Sequence, residues 1–276
     1  MGGDGRTVRA SRMAARRPWL VGSAVSVCLL ASAPASAGAW TRPAGSGLTI
    51  TTASHHAFAL SNPDAAFSKI ETAIYAEYGL TDRLTLVGRV ARETRFRRSV
   101  RRISKAGATY SLSFNTVSQG WGELEAGTRL NALEYGDWVL SSQISAVRFP
   151  GEPDDPLNAA PVWGADARLL LGRSLGARMF AEAQLAHRSR FDNAGGEHRM
   201  ELTFGLRPSE RWLVMAQTYS AWGERYAQPY ESHRLHISVT APVADRLSLQ
   251  LGATNSFYND GLSPERAYVI ALWREF

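Results

Sequence analysis

Cysteine is nearly absent: the 276-residue chain has one, Cys28, so no intramolecular disulfide can form. Helical periodicity is missing too. No segment of useful length repeats apolar residues at i, i+3, i+4 and i+7, which excludes a helical bundle. Beyond residue 37 no apolar run approaches the roughly 20 residues of a helical membrane span. With a slightly negative mean hydropathy, a multi-helix membrane protein is excluded as well. Charge of one sign is also scarce once the N-terminus is set apart. Of the net +6, the first 37 residues contribute +4, from Arg6, Arg9, Arg12, Arg16 and Arg17 against Asp4, which leaves +2 for residues 38–276. So balanced a remainder gives no ground for nucleic-acid binding.

What is present begins with that basic N-terminus. It is followed by an apolar stretch from Trp19 to Ala31 and by the small residues Ala35, Ser36 and Ala37. This is the pattern of a secretory signal peptide over 1–37, with cleavage expected after Ala37. A membrane anchor is disfavoured because the apolar stretch is short and interrupted by Gly22, Ser23 and Ser26. Cys28 leaves with the signal, so the mature chain has no thiol chemistry.

Residues 38–276 alternate at period 2 from end to end, the mark of β-strands. Ile70, Thr72, Ile74, Ala76 and Tyr78 form one face, and Lys69, Glu71, Ala73, Tyr75 and Glu77 the other. Leu84, Leu86, Gly88 and Val90 oppose Thr85, Arg89 and Glu93, and Leu124, Ala126, Thr128 and Leu130 oppose Glu123, Glu125 and Arg129. Met200, Leu202, Phe204 and Leu206 against Arg199, Glu201 and Arg207 repeat the division. A soluble sandwich also alternates, so three further features decide. Short connections at 81–83, 134–137, 174–177, 208–211 and 242–245 alternate with longer ones near 96–119, 150–162, 223–231 and 258–265. The strands run about ten residues, enough for a tilted crossing of the hydrocarbon layer. Aromatics gather at strand ends, among them Tyr78, Trp121, Trp138, Trp163, Trp212, Trp222, Tyr268 and Trp273, as interfacial girdles require. The expectation is an all-β, transmembrane, antiparallel up-and-down β-barrel of about 12 strands in the bacterial outer membrane, formed by one chain as a monomer.

The chain stops on "RAYVIALWREF", in which Tyr268, Ile270, Leu272 and Phe276 share one face. In lipid this last strand has to pair with the first, because an open edge would leave backbone polar groups unsatisfied. Phe276 itself resembles the terminal aromatic signal read by the outer-membrane assembly machinery. Arg274, however, occupies a lipid-side position.

Two stretches carry a family resemblance. "GAWTRPAGSGLTITT" and "KIETAIYAEYGLTDRLTL" resemble the opening of the outer-membrane proteins named after the phenol meta-cleavage pathway. That resemblance implies a channel for small organic or aromatic compounds, with no particular substrate.

The face opposite the lipid stripe is crowded with charge of both signs. Glu71, Glu77, Arg89, Glu93, Glu123, Glu125, Arg129 and Glu201 are expected to form a solvated network that stiffens the wall, and, compatibly with that role, are candidates for a lumen constriction. In the run "RFRRSVRRISK", Arg97, Arg98, Arg101 and Arg102 are candidates for contact with lipopolysaccharide phosphates, if the run is a surface loop. An acyl-hydrolase alternative rests on His187 and Ser189, two apart on one strand face, with Asn193 or Glu197 to orient the imidazole. His55 with His56, and His233 with His236, fall on opposite strand faces and cannot close on one metal. Glu152, Asp154 and Asp155 form an acidic loop that could hold calcium or be merely solvated. The leading expectation is passive passage of small solutes with no catalytic residue, metal or cofactor. Outer-membrane lipid, lipopolysaccharide and the assembly machinery are the expected partners, and a lipid hydrolase or a closed structural barrel the alternatives.

Overall fold

The computed structural model describes residues 38–276 except 61, 63, 106–107, 152–159, 193–194 and 226–227, and for 101–105, 108–110 and 225 the backbone alone. The expected signal peptide with Cys28, the acidic loop of Glu152, Asp154 and Asp155, and Asn193 lie outside the described residues.

Twelve strands follow one another: β1 (Gly47–Phe58), β2 (Ala66–Thr81), β3 (Leu84–Lys105), β4 (Ala108–Tyr135), β5 (Trp138–Phe149), β6 (Val162–Ser174), β7 (Met179–Arg190), β8 (Gly196–Ser209), β9 (Trp212–Arg225), β10 (Gln228–Ala244), β11 (Leu247–Asp260) and β12 (Glu265–Glu275). Each pairs antiparallel with its sequence neighbours, and β1 pairs with β12, so the sheet closes into a barrel. The five short connections are tight turns at the end where the chain enters β1 and leaves β12. That end is the periplasmic one in a barrel of this kind, whose short turns face the periplasm. Gly136, with φ 57°, makes one of these turns possible.

The faces are inverted relative to a water-soluble domain. Large apolar residues point outward and stay exposed, among them Ile74, Leu86, Leu130, Ile144, Leu169, Leu185, Leu202, Ile237, Leu251 and Ile270. The buried set includes many polar and charged side chains: Glu77, Glu93, Arg129, Asp166, Glu182 and Arg188. A belt of this sort is stable only against hydrocarbon, where burial of apolar surface is supplied by lipid rather than by protein. Tyr78, Trp121, Trp138, Trp163, Trp212, Trp222 and Tyr268 lie on the outer surface as girdle residues. Trp273 does not: it is 8% exposed, and its indole N–H donates to Gln250 Oε1 at 2.9 Å inside the barrel. Alternation decides its side, since Leu272 and Arg274 take the outward positions around it.

A second departure from expectation concerns the basic run. It is not a loop. β3 has 22 residues and β4 has 28, and they stay paired from Leu84↔Leu130 to Lys105↔Ala108 across one bulge. The last partner of β3 on β2 is Ala66, opposite Arg98, and the first partner of β4 on β5 is Arg148, opposite Leu124. Beyond those rungs a two-stranded ribbon continues past the extracellular rim. It persists there because water, unlike lipid, can satisfy the open edges of both strands.

At the seam, Gly47 N–H donates to the Phe276 carbonyl at 2.9 Å and Phe276 N–H to the Gly47 carbonyl at 3.0 Å. The Phe276 ring lies over Gly47 so closely that a β-carbon there would come within 2.3 Å of it. Deleting Phe276, or replacing Gly47 with Val, is expected to lower the fraction of heat-modifiable folded barrel on gels while the chain is still exported. Normal folded yield in both variants would show that this seam contact is dispensable.

The lumen as candidate functional site

Ion pairs line the lumen in linked groups. Nearest the periplasm, Glu77 accepts from Arg42 Nε at 2.7 Å, Arg129 Nη1 at 2.8 Å and the Tyr75 hydroxyl at 2.7 Å. Arg129 also donates to Gln143 Oε1 at 2.9 Å, and Gln143 Nε2 donates to Glu125 at 3.0 Å. On the β4–β7 wall, towards its extracellular side, Arg188 bridges Asp166 at 2.5 Å and Glu123 at 2.6 Å. Arg168 holds the other oxygen of Asp166 at 2.8 Å and approaches Glu201 at 3.8 Å. Towards the outside, Lys69 lies 3.0 Å from Glu71 and 3.1 Å from Glu93. Arg95 pairs with Glu93 at 2.8 Å, and Arg89 with Glu71. On the neighbouring strands Glu265 takes Arg234 at 2.8 Å and also His56, while across the barrel Glu197 takes Arg199 and the Tyr230 hydroxyl.

All eight residues expected at a constriction therefore face the lumen, as rungs of one network. The pairing follows from register. Glu71 sits opposite Glu93 and Tyr75 opposite Arg89 on β2 and β3, so like charges on one rung are neutralised from the next rung along. Two chambers remain open between these side chains. One of about 780 Å³ lies at the extracellular mouth, lined by Lys69, Glu93, Arg95, Arg199, Arg234 and Glu265 among others. The other, of about 520 Å³, reaches from Arg89 and Glu201 down to Gln143, Gln250 and Gly38.

One element of the lumen has no strand pattern to announce it. Residues 38–46, ahead of β1, cross the periplasmic end of the barrel from inside. Ala39 is fully buried; its N–H donates to Glu182 Oε2 at 2.7 Å and its carbonyl accepts from Ser141 Oγ at 2.5 Å. The Arg42 N–H donates to Thr85 Oγ1 at 2.8 Å. Trp40 packs edge-on against Phe180 with ring centroids 6.0 Å apart. Room for this segment comes from Gly172, where a β-carbon would lie 2.7 Å from the Trp40 ring.

The basic ribbon splits by face. Arg97 joins the mouth chamber, its guanidinium 5.8 Å from the Phe67 ring, whereas Arg98 belongs to the outward face with exposed Phe96 and Val117. Arg101 and Arg102 pair with Leu112 and Ser111; their side chains lie outside the described residues.

The histidines also sort by face. His187 points outward and meets His198 across the rung, Nδ1 to Nδ1, at 3.4 Å. His56 faces Glu265 in the lumen, whereas His55 lines an outer groove with Tyr268 and Ile270. A different constellation had been missed. Ser220 Oγ lies 2.8 Å from His233 Nδ1, and His233 Nε2 lies 2.8 Å from Glu231 Oε1, on the outward surface beside Trp222. Ser220 is only 7% exposed.

No protein-family profile matches the chain, and no curated protein matches it. Solved structures do. The COG4313 outer-membrane channel from Pseudomonas putida F1 superposes with a TM-score of 0.64 at 15% identity, over 87% of this chain and 99% of that one. The fold is that of an outer-membrane barrel. The NanC porin (TM-score 0.50, 7% identity, 81% of this chain and 98% of its own) has the same architecture. So does the KdgM porin in complex with disordered oligogalacturonate (TM-score 0.50, 4% identity, 83% and 99%). Similarity at this level establishes the barrel fold alone; the lumen chemistry has to be read from this chain.

Removing Arg188 would take from Asp166 and Glu123 their shared cation, leaving Asp166 with Arg168 and Glu123 with Arg89 at 3.6 Å. Arg188→Met is expected to cost about 3–5 kcal/mol of stability, since one partner of a buried pair is lost. Arg188→Lys, which keeps the charge, should cost much less. The temperature of heat modification on gels measures both, and equal midpoints for Met and Lys would refute the pairing argument.

Proposed function

We propose that the protein is a channel for passive passage of small solutes across the outer membrane. The observation that carries this reading is the lumen itself, in which polar and charged side chains surround two open chambers. Anions and cations alternate along its wall, so ion selectivity should be weak. The resemblance of residues 38–52 and 69–86 to the phenol meta-cleavage family supports small organic or aromatic compounds as the cargo. Planar-bilayer recording on the refolded mature chain tests the proposal: discrete conductance steps are expected, and a silent bilayer would identify a closed structural barrel.

Phe276 at the seam is our candidate for recognition by the assembly machinery, and lipopolysaccharide is the proposed partner of the ribbon. On the ribbon, the outward position of Arg98 favours lipopolysaccharide contact, and the inward position of Arg97 favours solute contact. Each basic residue near an anionic membrane surface is worth roughly 1 kcal/mol, fading with salt. Arg98→Gln should therefore weaken lipopolysaccharide binding at low salt more than Arg97→Gln does, and equal losses would refute the division.

A second reading, an outer-membrane lipid acyl hydrolase, is favoured by Ser220, His233 and Glu231, which have the connectivity of a nucleophile, base and orienting acid. The channel reading stands ahead of it because the Ser220 hydroxyl is covered. Ester turnover by the purified wild type that Ser220→Ala abolishes would establish the hydrolase.

A further inference from the structure

Glu182 is the exception among the lumen acids. It lies 4% exposed near the periplasmic end of β7. Glu71, Glu77, Glu93, Glu123, Asp166 and Glu265 each pair with Lys or Arg. Among the described residues, Glu182 has no such pair; its partners are the Ala39 N–H at 2.7 Å and Gln184 Nε2 at 2.5 Å. A buried carboxylate held only by neutral donors remains costly.

What faces it is Gly38. A β-carbon on Gly38 would lie 2.2 Å from Glu182 Oε1 and 2.6 Å from Gln184 Nε2, and its φ of +75° also favours glycine. The backbone of Gly38 is therefore pressed directly against the carboxylate, with its nitrogen one bond from the atom that makes this contact. Cleavage after Ala37, the processing expected from the signal pattern, would convert that nitrogen from a peptide amide into an α-ammonium with a full positive charge.

We propose that Glu182 and Gln184 form a binding site for an α-ammonium group, and that its ligand is the protein's own processed N-terminus at Gly38. The ammonium supplies the directly paired cation that Glu182 otherwise lacks, since Arg129 acts on it only from beyond ion-pair distance. The resulting pair anchors residues 38–46 as a strap across the periplasmic end of the lumen, so that processing by the signal peptidase completes the pore. The site rests on cleavage after Ala37, and its effect on conduction rests on the channel reading.

The test uses the full mature chain, with intact mass confirming that it begins at Gly38. A protonated, paired amine has no lone pair to offer an acylating reagent. Acylation of the Gly38 amine by an N-hydroxysuccinimide ester at neutral pH should therefore be about tenfold slower in the folded wild type than in Glu182→Gln, the factor expected for loss of one hydrogen bond to a charged group. In bilayers, the N-terminally acetylated chain and Glu182→Gln should both show larger or less interrupted conductance. The acetylated Glu182→Gln chain should show no more than either change alone. Equal acylation rates in wild type and Glu182→Gln overturn the site, whatever the bilayers show. Unequal rates with additive conductance effects overturn the strap's control of the pore. A mature chain that begins elsewhere than Gly38 overturns the ligand assignment. Gln184→Ala, which leaves the carboxylate in place, should speed acylation less than Glu182→Gln does, and a larger effect would shift the site away from Glu182.

Discussion

Backbone N–H and C=O groups cannot be left unpaired in hydrocarbon, where each orphan costs several kcal/mol. Most of this architecture follows from that constraint. A sheet that crosses lipid must have no edge, so the strand starting at Gly47 has to meet the strand ending at Glu275. Antiparallel closure of a single up-and-down chain with both ends at one rim in turn requires an even number of strands. Where the constraint lapses, the structure changes character. Beyond the extracellular rim the β3–β4 ribbon keeps two open edges in water. Inside the lumen, residues 38–46 run as irregular backbone because Glu182, Ser141 and Thr85 meet their polar groups.

Lipid on the outside leaves the inside to be filled by something other than apolar packing. Charged side chains fill it, and the low dielectric of a narrow lumen makes each uncompensated charge expensive. Acids and bases accordingly share partners: Glu77 serves both Arg42 and Arg129, and Arg188 serves both Asp166 and Glu123. Such sharing fixes side chains that would otherwise wave into the lumen. It leaves chambers of defined shape and ties strands distant in sequence, β4, β6 and β7, into one wall.

Period-2 alternation is a local property of the chain, so it marks the two faces of every strand without knowledge of neighbours. For that reason Glu71, Glu77, Arg89, Glu93, Glu123, Glu125, Arg129 and Glu201 could all be placed inside from sequence. Trp273 has the residue type of a girdle but the place in the alternation of a lumen residue, and the alternation decides. The basic run has the composition of a surface loop yet continues as strand, because a strand outside the membrane obeys no limit on length. His187 stands two residues from Ser189 on one strand but meets His198 on the next, whereas Ser220 lies on the strand beside its hydrogen-bonded His233, a relation set by register.

The sequence by itself determined the fold class, the approximate strand count, which face meets lipid and which strands close the seam, because these depend on spacing along one strand and on the hydrophobic period. Only the tertiary structure decided which charges pair, that residues 38–46 enter the lumen, and that Arg97 and Arg98 face opposite ways at the mouth. Those outcomes depend on bulges, stagger and closure, which bring together residues far apart in the chain, such as Ala39 and Glu182, and no local pattern encodes their meeting.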